Sequence, residues 1–255
     1  MNIAVIFAGG VGSRMKSKTV PKQFLKMHGK PIIVHTIEQF EFHPEIDAIV
    51  IACVESGIPY LQTLIEQYNL KKVRKVVPGG QSGQQSIYNG LCAAEEVADG
   101  EKSIVLIHDG VRPLINAELI SNNIKSVKEH GSAITCVKVK ETVLMVPEDD
   151  ERKIDHIPER KNTRLARAPQ SFWLDDILSA QRRAREEKRD DFIDSCSLMQ
   201  YYGMKMYLIE GPQENIKITT PDDFYTMRAL LDAREDSQIY GLEEQEYGTN
   251  ESAGK

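Results

Sequence analysis

Glycines and cations cluster in one short segment near the N-terminus of this chain, AGGVGSRMKSKTVPK (residues 8–22). Glycines let backbone N–H groups approach phosphate oxygens closely, because no Cβ stands in the way. The segment is neither a Walker A loop, which ends in Gly-Lys-Ser/Thr, nor a dinucleotide fingerprint, which needs glycine at Met15. It predicts a loop that binds an anionic ligand, with a tight turn and solvated cations as the alternative. The residues concerned are Gly9, Gly10, Gly12, Arg14 and Lys22.

Three later segments contain further residues that could bind a ligand. In IVLIHDGVRPLI, Asp109 ends a predicted buried strand, where a carboxylate can bind a magnesium ion that bridges phosphates. Capping of a helix is the alternative role for this side chain. The stretch PGGQSGQQS, residues 78–86, is a second glycine loop, suited to contacting a nucleotide base through its backbone. In NIKITTPDD, Lys217 lies between two isoleucines before a predicted helix start, so we expect more of it than a surface charge.

The elements that must position these residues alternate along the first half of the chain. Short β-branched runs with little polar content are typical of strands buried on both faces. Between them, apolar residues recur every three or four positions, as in amphipathic helices. This alternation predicts an α/β fold with a doubly wound, mostly parallel, Rossmann-like sheet. The predicted strands are Ile3–Phe7, Ala48–Val54, Lys72–Val77, Ser103–Ile107 and Ala133–Val137, and the predicted helices Ile32–Phe40, Pro59–Tyr68, Ser86–Ala98 and Ala117–Glu129.

The regular alternation ends near Lys138. From there, apolar and polar residues alternate around an acidic turn, which predicts a β-hairpin arm over about 138–162 that projects from the main body. An exposed hairpin with one apolar face needs a partner, so we expect a homodimer contact through this arm. We expect a single domain over 1–242 and a disordered acidic tail over 243–255. The remaining predicted elements are helices Leu178–Lys188, Asp194–Tyr202 and Pro221–Arg234, and strand Lys205–Glu210.

Composition narrows the classes of partner and compartment. The net charge of −6 disfavours nucleic acid as a partner, since a phosphate backbone calls for a basic surface. The four cysteines are widely spaced and indicate buried thiols in a reducing compartment rather than disulfides or a zinc site. No apolar stretch approaches the ~20 residues of a membrane span, and no signal-peptide pattern opens the chain. We therefore expect a cytoplasmic protein that binds neither nucleic acid nor a membrane.

Taken together, the motifs resemble the cytidylyltransferase family that contains the methylerythritol-phosphate and ribitol-5-phosphate cytidylyltransferases. The resemblance implies transfer of CMP from CTP to a phosphate on a small sugar alcohol, with release of pyrophosphate. It covers about residues 1–235, and the ordered set is far more specific than any one motif. The matching segments are AGGVGSRM, PKQFL, GG-x5-S at 79–86, HDGVRP, ETV, PER, PQSF, the helix at Asp194 and NIKITTPDD.

The resemblance also implies roles for individual residues. Arg14, Lys22 and Lys217 match the cations that hold the triphosphate and stabilise the reacting phosphorus. Asp109 matches the carboxylate that binds nucleotide and Mg²⁺, the implied cofactor. In the family, two of the acceptor-site residues, here Thr142 and Arg160, lie on the arm and reach across a dimer interface. The positions that match the acceptor site are Arg112, Thr142, Arg160 and Asp194. The positions that match the nucleotide site are Ala8, Gly9, Gly10, Gly12, Gly80, Gln81, Ser86 and Asp109.

The acceptor is the least determined part of this prediction. The spacing between Arg14 and Pro21, with Val111 and the pair Thr219-Thr220, favours the ribitol type and hence an alditol phosphate, feeding capsule or cell-wall polymers. The methylerythritol-phosphate enzyme of isoprenoid synthesis is the alternative. Three residues depart from the family pattern: Ala168 and Ile193 replace threonines expected in the acceptor pocket, and Gly83 replaces a frequent arginine.

Two alternatives belong to other classes. The missing hydroxyls would also fit an inactive protein that binds a nucleotide, and CTP binding without release of pyrophosphate would identify it. A nicotinamide dehydrogenase can be built on the same type of sheet. It is disfavoured by Met15 in the first loop and by the lack of a clear ribose-binding acid after the second strand, where Glu55 is the nearest candidate.

Overall fold

The computed structural model of the chain describes residues 1–10 and 20–240. Gly12, Arg14 and the expected tail over 243–255 therefore lie outside the described residues. The strands are β1 (Asn2–Ala8), β2 (Lys26–Met27), β3 (Lys30–Pro31), β4 (Ala48–Cys53), β5 (Val73–Pro78), β6 (Ile104–Asp109), β7 (Ser132–Lys138), β8 (Arg164–Trp173) and β9 (Leu208–Glu210). The helices are α1 (Ile32–Glu41), α2 (Ile58–Gln67), α3 (Gly83–Ala98), α4 (Ala117–His130), α5 (Leu174–Glu186), α6 (Ser195–Tyr201) and α7 (Pro221–Tyr240).

Alternate residues of the central strands pack into two separate cores, because successive side chains of a strand point to opposite faces. Ala4 and Ile6 of β1 join the core formed with α1, α2 and α4. Ile3 and Val5 join the core formed with α3, α5 and α6. The sheet is thus covered by helices on both faces, which is why its strands are apolar throughout. The doubly wound α/β prediction is confirmed.

The order of strands in the main sheet is β5-β4-β1-β6-β8-β7-β9. Strand β1 pairs in parallel with β4 and β6, and β4 pairs in parallel with β5. From β1 the chain adds β4 and then β5 on one side, and it then returns to add β6 on the other side of β1. The order of strands therefore reverses between β1 and β6, and this position is a topological switch point. Ligands bind at the carboxyl ends of strands beside such a point. The register brings these ends level, pairing Phe7 with Asp109 and Ala8 with Cys53.

Strand β8 is the element that the sequence pattern missed. It runs antiparallel between β6 and β7, whereas the arm was expected to end near residue 162 and no strand of the main sheet was predicted over 164–173. Pro169 lies in its middle, and a proline inside an apolar run argues against a central strand. A break in the pairing of β7 with β8 accommodates it, because Ile134 pairs with Gln170 but Cys136 pairs with Ala166. The expected strand over 205–210 is also shorter, since β9 begins only at Leu208.

The arm joins β7 to β8 and is less regular than predicted. Within its described residues, one isolated antiparallel bridge links Met145 and His156. The Met145 N–H donates to the His156 carbonyl at 2.9 Å, and the Asp155 N–H donates to the Met145 carbonyl at 2.8 Å. A single 3₁₀ turn, Arg160–Asn162, then leads into β8. The chain therefore does double back as expected, but the regular pairing lies at the base of the arm, between β7 and β8.

A search of the described helices finds none long and apolar enough to cross a membrane.

Candidate active site

A cleft of about 260 Å³ opens at the switch point, at the carboxyl ends of the central strands. The cleft is lined by the ends of β1 and β6, by the described residues of the two glycine loops, and by the segment before α7. Lys22 and Lys217, which are 195 positions apart in sequence, face the same cleft. The lining residues are Phe7, Ala8, Gly9, Gly10, Lys22, Gln23, Gly80, Gln81, Ser82, Gly83, Ser86, Asp109, Val111 and Lys217.

Lys22 begins a one-turn 3₁₀ helix, Lys22–Phe24, and is fixed from two sides. Its Nζ donates a hydrogen bond to the Ile218 carbonyl at 3.0 Å, which ties the first loop to the segment before α7. The adjacent Gln23 is 1% exposed, and its Nε2 donates to the Ala8 carbonyl at 2.8 Å. Gln23 was not predicted to have a site role, although the motif PKQFL contains it. Its buried amide holds Lys22 against the end of β1.

Asp109 is the electrostatic centre of the cleft. Its Oδ1 pairs with Lys217 Nζ at 2.5 Å, and its Oδ2 accepts from Arg112 Nε at 3.0 Å. Burial opposes ionisation of this carboxyl, yet the charges of Arg112 and Lys217 outweigh it and hold the pKa of Asp109 at about 2. Asp109 is therefore an anion at any physiological pH. Its negative charge keeps two cations close together, so that both stand ready for a more strongly charged ligand.

The segment that carries Lys217 is clamped at both ends. The Ile218 N–H donates to the Val111 carbonyl at 3.0 Å. One Asp223 oxygen accepts from the backbone N–H groups of Thr219, at 2.8 Å, and Thr220, at 2.7 Å. Burial opposes ionisation of Asp223, but these two donors lower its pKa below the usual range. The motif ITTPDD is thus a helix start whose carboxylate orients the lysine segment.

The second glycine loop packs directly against the first. A Cβ on Gly79 would lie 3.0 Å from the Cα of Gly9, so neither position tolerates a side chain easily. Ser86 was predicted to read the base, but its hydroxyl already holds the loop. It accepts from the Gly80 N–H at 3.0 Å and donates to the Ser82 carbonyl at 2.9 Å. Ser86 therefore fixes the shape of a loop whose Gly80 and neighbouring Gln81 line the cleft.

A second cavity of about 250 Å³ adjoins the cleft and contains the predicted acceptor residues Arg112 and Asp194. The cleft and this cavity share four lining residues: Phe7, Gly83, Asp109 and Lys217. Asp194 caps α6, accepting from the Ser197 N–H at 2.8 Å, and its other oxygen accepts from Gln170 Nε2 at 2.9 Å. We call this second site the acceptor cavity. Its further lining residues are Ile87, Ile107, Ala166, Arg167, Ala168, Gln170, Ile193 and Ser195.

The remaining predicted site residues lie elsewhere. Arg160 and Thr142 meet on the arm, where Arg160 Nη2 donates to Thr142 Oγ1 at 3.1 Å. Neither of these two described side chains lines the cleft or the acceptor cavity of its own chain.

The loop between Asp109 and Arg112 is set by a buried histidine. His108 Nε2 contacts the Arg112 carbonyl at 2.9 Å. Burial lowers the pKa of His108 to about 4, so the ring is neutral at physiological pH and its Nε2–H donates this bond. The ring also packs edge-on against Phe40, 5.2 Å between centroids. His108 therefore orients Arg112 and does not exchange protons with a ligand.

Sheet and cleft together define the class of protein. A switch-point cleft with paired glycine loops, two lysines and one ionised carboxylate is built to bind a nucleotide and to neutralise its phosphates. The adjoining acceptor cavity shares Lys217 with that cleft. The fold and the cleft thus define an α/β protein with a cationic switch-point site suited to a phosphate-bearing ligand.

Comparison with known proteins identifies the family. Residues 2–233 match the family described as IspD, 2-C-methyl-D-erythritol 4-phosphate cytidylyltransferase. The chain is 57% identical to the ribitol-5-phosphate cytidylyltransferase of Streptococcus agalactiae serotype III, over 95% of this chain and 100% of that protein. It is 40% identical to the 2-C-methyl-D-erythritol 4-phosphate cytidylyltransferase of Clostridium acetobutylicum, over 91% and 97%.

Solved structures agree with this relationship. The 4-diphosphocytidyl-2C-methyl-D-erythritol synthase of Anaerococcus prevotii superposes with a TM-score of 0.78 at 26% identity, over 91% of this chain and 96% of that one. The chain belongs to the IspD family of cytidylyltransferases. The resemblance found in the sequence is confirmed, and the dehydrogenase alternative is excluded.

Proposed function

We propose that this protein transfers CMP from CTP to an alditol phosphate, of the ribitol 5-phosphate class, and releases pyrophosphate. One observation carries the proposal: Lys217, paired with Asp109, lines both the nucleotide cleft and the acceptor cavity. A cation at the junction of two substrate sites stands where two phosphates must meet. The 57% identity to a ribitol-5-phosphate cytidylyltransferase, against 40% to the methylerythritol-phosphate enzyme, supports the alditol acceptor.

The reaction needs little from the protein beyond geometry and charge. The acceptor phosphate attacks the α-phosphorus of CTP in line, and pyrophosphate leaves on the opposite side. A phosphate monoester is already a nucleophile near neutral pH, so no general base is required. Both reactants are anions, and Lys22 and Lys217 lower their repulsion and stabilise the charge of the transition state. Arg14, by family resemblance, adds a third cation.

The residues present fit a magnesium ion as the cofactor. Asp109 is the one carboxylate among the described residues that line the nucleotide cleft. No group of three or more His, Cys, Asp or Glu side chains that could hold a metal exists in the described part of the chain. Mg²⁺ is commonly bound by one or two carboxylates and by substrate phosphates, so Asp109 would hold it together with the triphosphate. When bound, the ion neutralises phosphate charge.

All three departures from the family pattern, Ala168, Ile193 and Gly83, line the acceptor cavity. Ala168 and Ile193 line the acceptor cavity, and neither has a hydroxyl. Ile193 is 96% exposed at its edge. A different acceptor, or different contacts to the same acceptor, accounts for both substitutions. The alditol phosphate is therefore proposed as a class.

The decisive experiment is a pyrophosphate-release assay with CTP and Mg²⁺ and a panel of acceptors: ribitol, arabinitol, glycerol, mannitol and methylerythritol phosphates. We expect release with a five-carbon polyol phosphate and CTP, and little with ATP, GTP or UTP. Faster turnover with methylerythritol phosphate would favour the alternative function. CTP binding without release in every mixture would identify an inactive nucleotide-binding protein.

We propose that the arm forms a homodimer. Five large apolar side chains on it are at least 44% exposed, and Thr142 and Arg160 line neither of the two cavities of their own chain. A second copy that covers this face would bury the apolar residues and bring Thr142 and Arg160 to its acceptor cavity. The exposed set is Leu144, Met145, Val146, Ile154 and Ile157.

Charge placed on the arm should therefore separate the dimer. The double variant Ile154→Lys, Ile157→Lys is expected to elute as a monomer in size-exclusion chromatography with light scattering. Its KM for the acceptor should rise about tenfold, as expected when a charged hydrogen-bond donor is withdrawn. Phe42→Lys, which changes an exposed apolar residue outside the arm, is the matched control. A dimeric double variant would contradict the proposed interface.

A reducing cytoplasm is the proposed compartment. All four cysteines are free thiols. Burial raises the pKa of Cys53 and of Cys196 to about 11, so both remain protonated. Unpaired, protonated thiols are typical of proteins that work under reducing conditions.

A further inference from the structure

Two residues that line the acceptor cavity each carry a buried side-chain atom with no hydrogen-bond partner among the described residues. The two atoms are Nε of Arg167 and Oγ of Ser195. Neither residue lines the nucleotide cleft. Buried polar atoms are nearly always paired, and leaving one unpaired costs about 1–3 kcal/mol. Two residues with unused hydrogen-bonding capacity beside one cavity point to a ligand that they bind there.

Arg167, which lines the cavity, lies in an irregular part of β8. From Ile134 to Cys136, β7 advances two residues, while its partners on β8 run from Gln170 to Ala166. The two additional residues form a bulge, a feature that re-aims side chains and is frequent beside active sites. Asn215 fastens it, since its Nδ2 donates to the Ala168 carbonyl at 2.7 Å.

The same asparagine ties the bulge to the catalytic carboxylate. Arg112 Nη1 donates to the Asn215 carbonyl at 2.8 Å, and Arg112 Nε donates to Asp109. Asn215 itself is fully buried. The position of Arg167 is therefore set by the network that positions Asp109.

Arg167 is a cation without a counterion in the described part of the chain. Burial lowers its pKa below the usual arginine value, and the charge of Arg112 lowers it further. Of the two carboxylates among the described residues that line the cavity, Asp194 already accepts from the Ser197 N–H and from Gln170. Asp109 is occupied by Arg112 and Lys217. A half-buried guanidinium in this setting gains most from a ligand that brings several acceptor oxygens.

Ser195 faces the same cavity from α6. It is the first residue of that helix and is 1% exposed. A hydroxyl can both donate and accept, so it matches another hydroxyl better than it matches a phosphate. The cavity thus offers the N–H donors of the Arg167 guanidinium and the hydroxyl of Ser195, which can donate or accept.

We propose that Arg167 and Ser195 bind the hydroxyl groups of the acceptor's polyol chain and so determine its length and hydroxylation. The inference rests on the proposed function. The reacting phosphates meet at the residues shared by the cleft and the acceptor cavity, namely Asp109, Lys217 and their neighbours. The rest of the acceptor then extends toward the residues that line the acceptor cavity alone, where Arg167 and Ser195 lie. These side chains supply polar contacts that Ala168 and Ile193 lack.

The test compares steady-state kinetics of Arg167→Ala, Arg167→Gln and Ser195→Ala. We expect Arg167→Ala to raise the KM for ribitol 5-phosphate about 10- to 100-fold, and Ser195→Ala a few-fold, because a buried site built for a hydroxyl discriminates strongly. The KM for CTP should stay within about twofold of the wild type. Arg164→Ala is the matched control, since Arg164 lies on the same strand, is exposed and lines neither cavity. Arg167→Gln removes the charge but keeps a polar side chain with N–H donors, and it serves as the second variant if the alanine variant folds poorly.

Acceptor analogues separate direct recognition from a structural role. Wild type should prefer ribitol 5-phosphate to glycerol 3-phosphate, which has fewer hydroxyls, and Arg167→Ala should lose most of that preference. Unchanged acceptor KM and unchanged preference in both Arg167 variants would overturn the inference.

Isothermal calorimetry measures the binding of ribitol 5-phosphate at saturating CTP without metal. It distinguishes failure of the proposed function from failure of the inference about Arg167 and Ser195. If wild type binds the acceptor in this experiment but releases no pyrophosphate once Mg²⁺ is added, the proposed function fails while weaker binding by Arg167→Ala still supports the inference. If wild type neither binds nor turns over any polyol phosphate, both are overturned.

Discussion

Lys217→Ala is expected to lower kcat by about 10²- to 10³-fold, the loss found when one preorganised donor to a charged transition state is removed. Lys217 lies on both substrate sites and is held 2.5 Å from Asp109. Because hydrogen bonds hold the backbone on the C-terminal side of Lys217, its side chain needs little reorganisation when negative charge develops on the phosphates. The KM for CTP should change less than kcat, because the contact strengthens in the transition state. Lys22→Ala is expected to act in the same direction. Pre-steady-state and steady-state release of pyrophosphate measure both.

The control for this prediction is Lys205→Ala, which removes an exposed lysine near the edge strand. It should retain wild-type kcat, showing that loss of one positive charge alone is harmless. Near-normal turnover in Lys217→Ala, with the fold intact by circular dichroism, would contradict the mechanism. Lys217→Arg is informative as well, since a guanidinium keeps the charge but not the compact point donor; we expect it to recover part of the activity.

Asp109→Asn is expected to reduce both stability and turnover. The carboxylate and Arg112 are each 7% exposed at the side chain, so removing the negative charge leaves a buried cation without its partner. Breaking such a pair typically costs about 3–5 kcal/mol of folding free energy. Turnover should fall as well, since the lysine and arginine then repel each other and the proposed ligand for Mg²⁺ is weakened. Urea unfolding and the Mg²⁺ dependence of turnover measure the two effects. Asp149→Asn, on the exposed part of the arm, is the matched control.

The ionisation of Asp109 makes the folding stability depend on pH. Its pKa is about 2 in the folded protein, below the value of about 3.9 in an unfolded chain. A lowered folded pKa adds stability that is fully present above pH ~4 and is lost as the pH falls toward ~2. Two pKa units correspond to about 2–3 kcal/mol. Wild type should lose this amount over that pH interval, and Asp109→Asn should lack this component of the slope. Equal slopes in the two proteins would contradict the assignment.

Much of the fold followed from local pattern. Strands buried on both faces have apolar side chains at every position, so β1, β4 and β6 are visible as unbroken runs, and α1, α2 and α4 as three-to-four-residue periodicities. Chirality and parallel pairing then bring the carboxyl ends of these strands to one edge. For that reason the pattern predicted that the described glycines and Asp109 lie at one edge of the sheet, whereas the family resemblance added Lys217 to this site.

The insertion of β8 was not predictable in this way. Its proline argues against a strand, and its pairing with β6 joins residues more than 60 positions apart in sequence, as in Leu106 with Ser171. No local pattern contains that information. The bulge that contains Arg167 depends on the register between two strands, which is fixed only when both are packed.

The amino-acid sequence alone predicted the doubly wound sheet, the cytidylyltransferase family and a glycine-lined, cationic nucleotide site. The tertiary structure decided which polar atoms are satisfied. Ser86 holds its own loop, Asp194 caps a helix, and Gln23 fastens the segment of Lys22 to the end of β1, whereas Arg167 and Ser195, which line the acceptor cavity, keep unused hydrogen-bonding capacity. The physical reason is that side-chain type specifies what a group can bind, while its actual partner depends on contacts between residues distant in sequence.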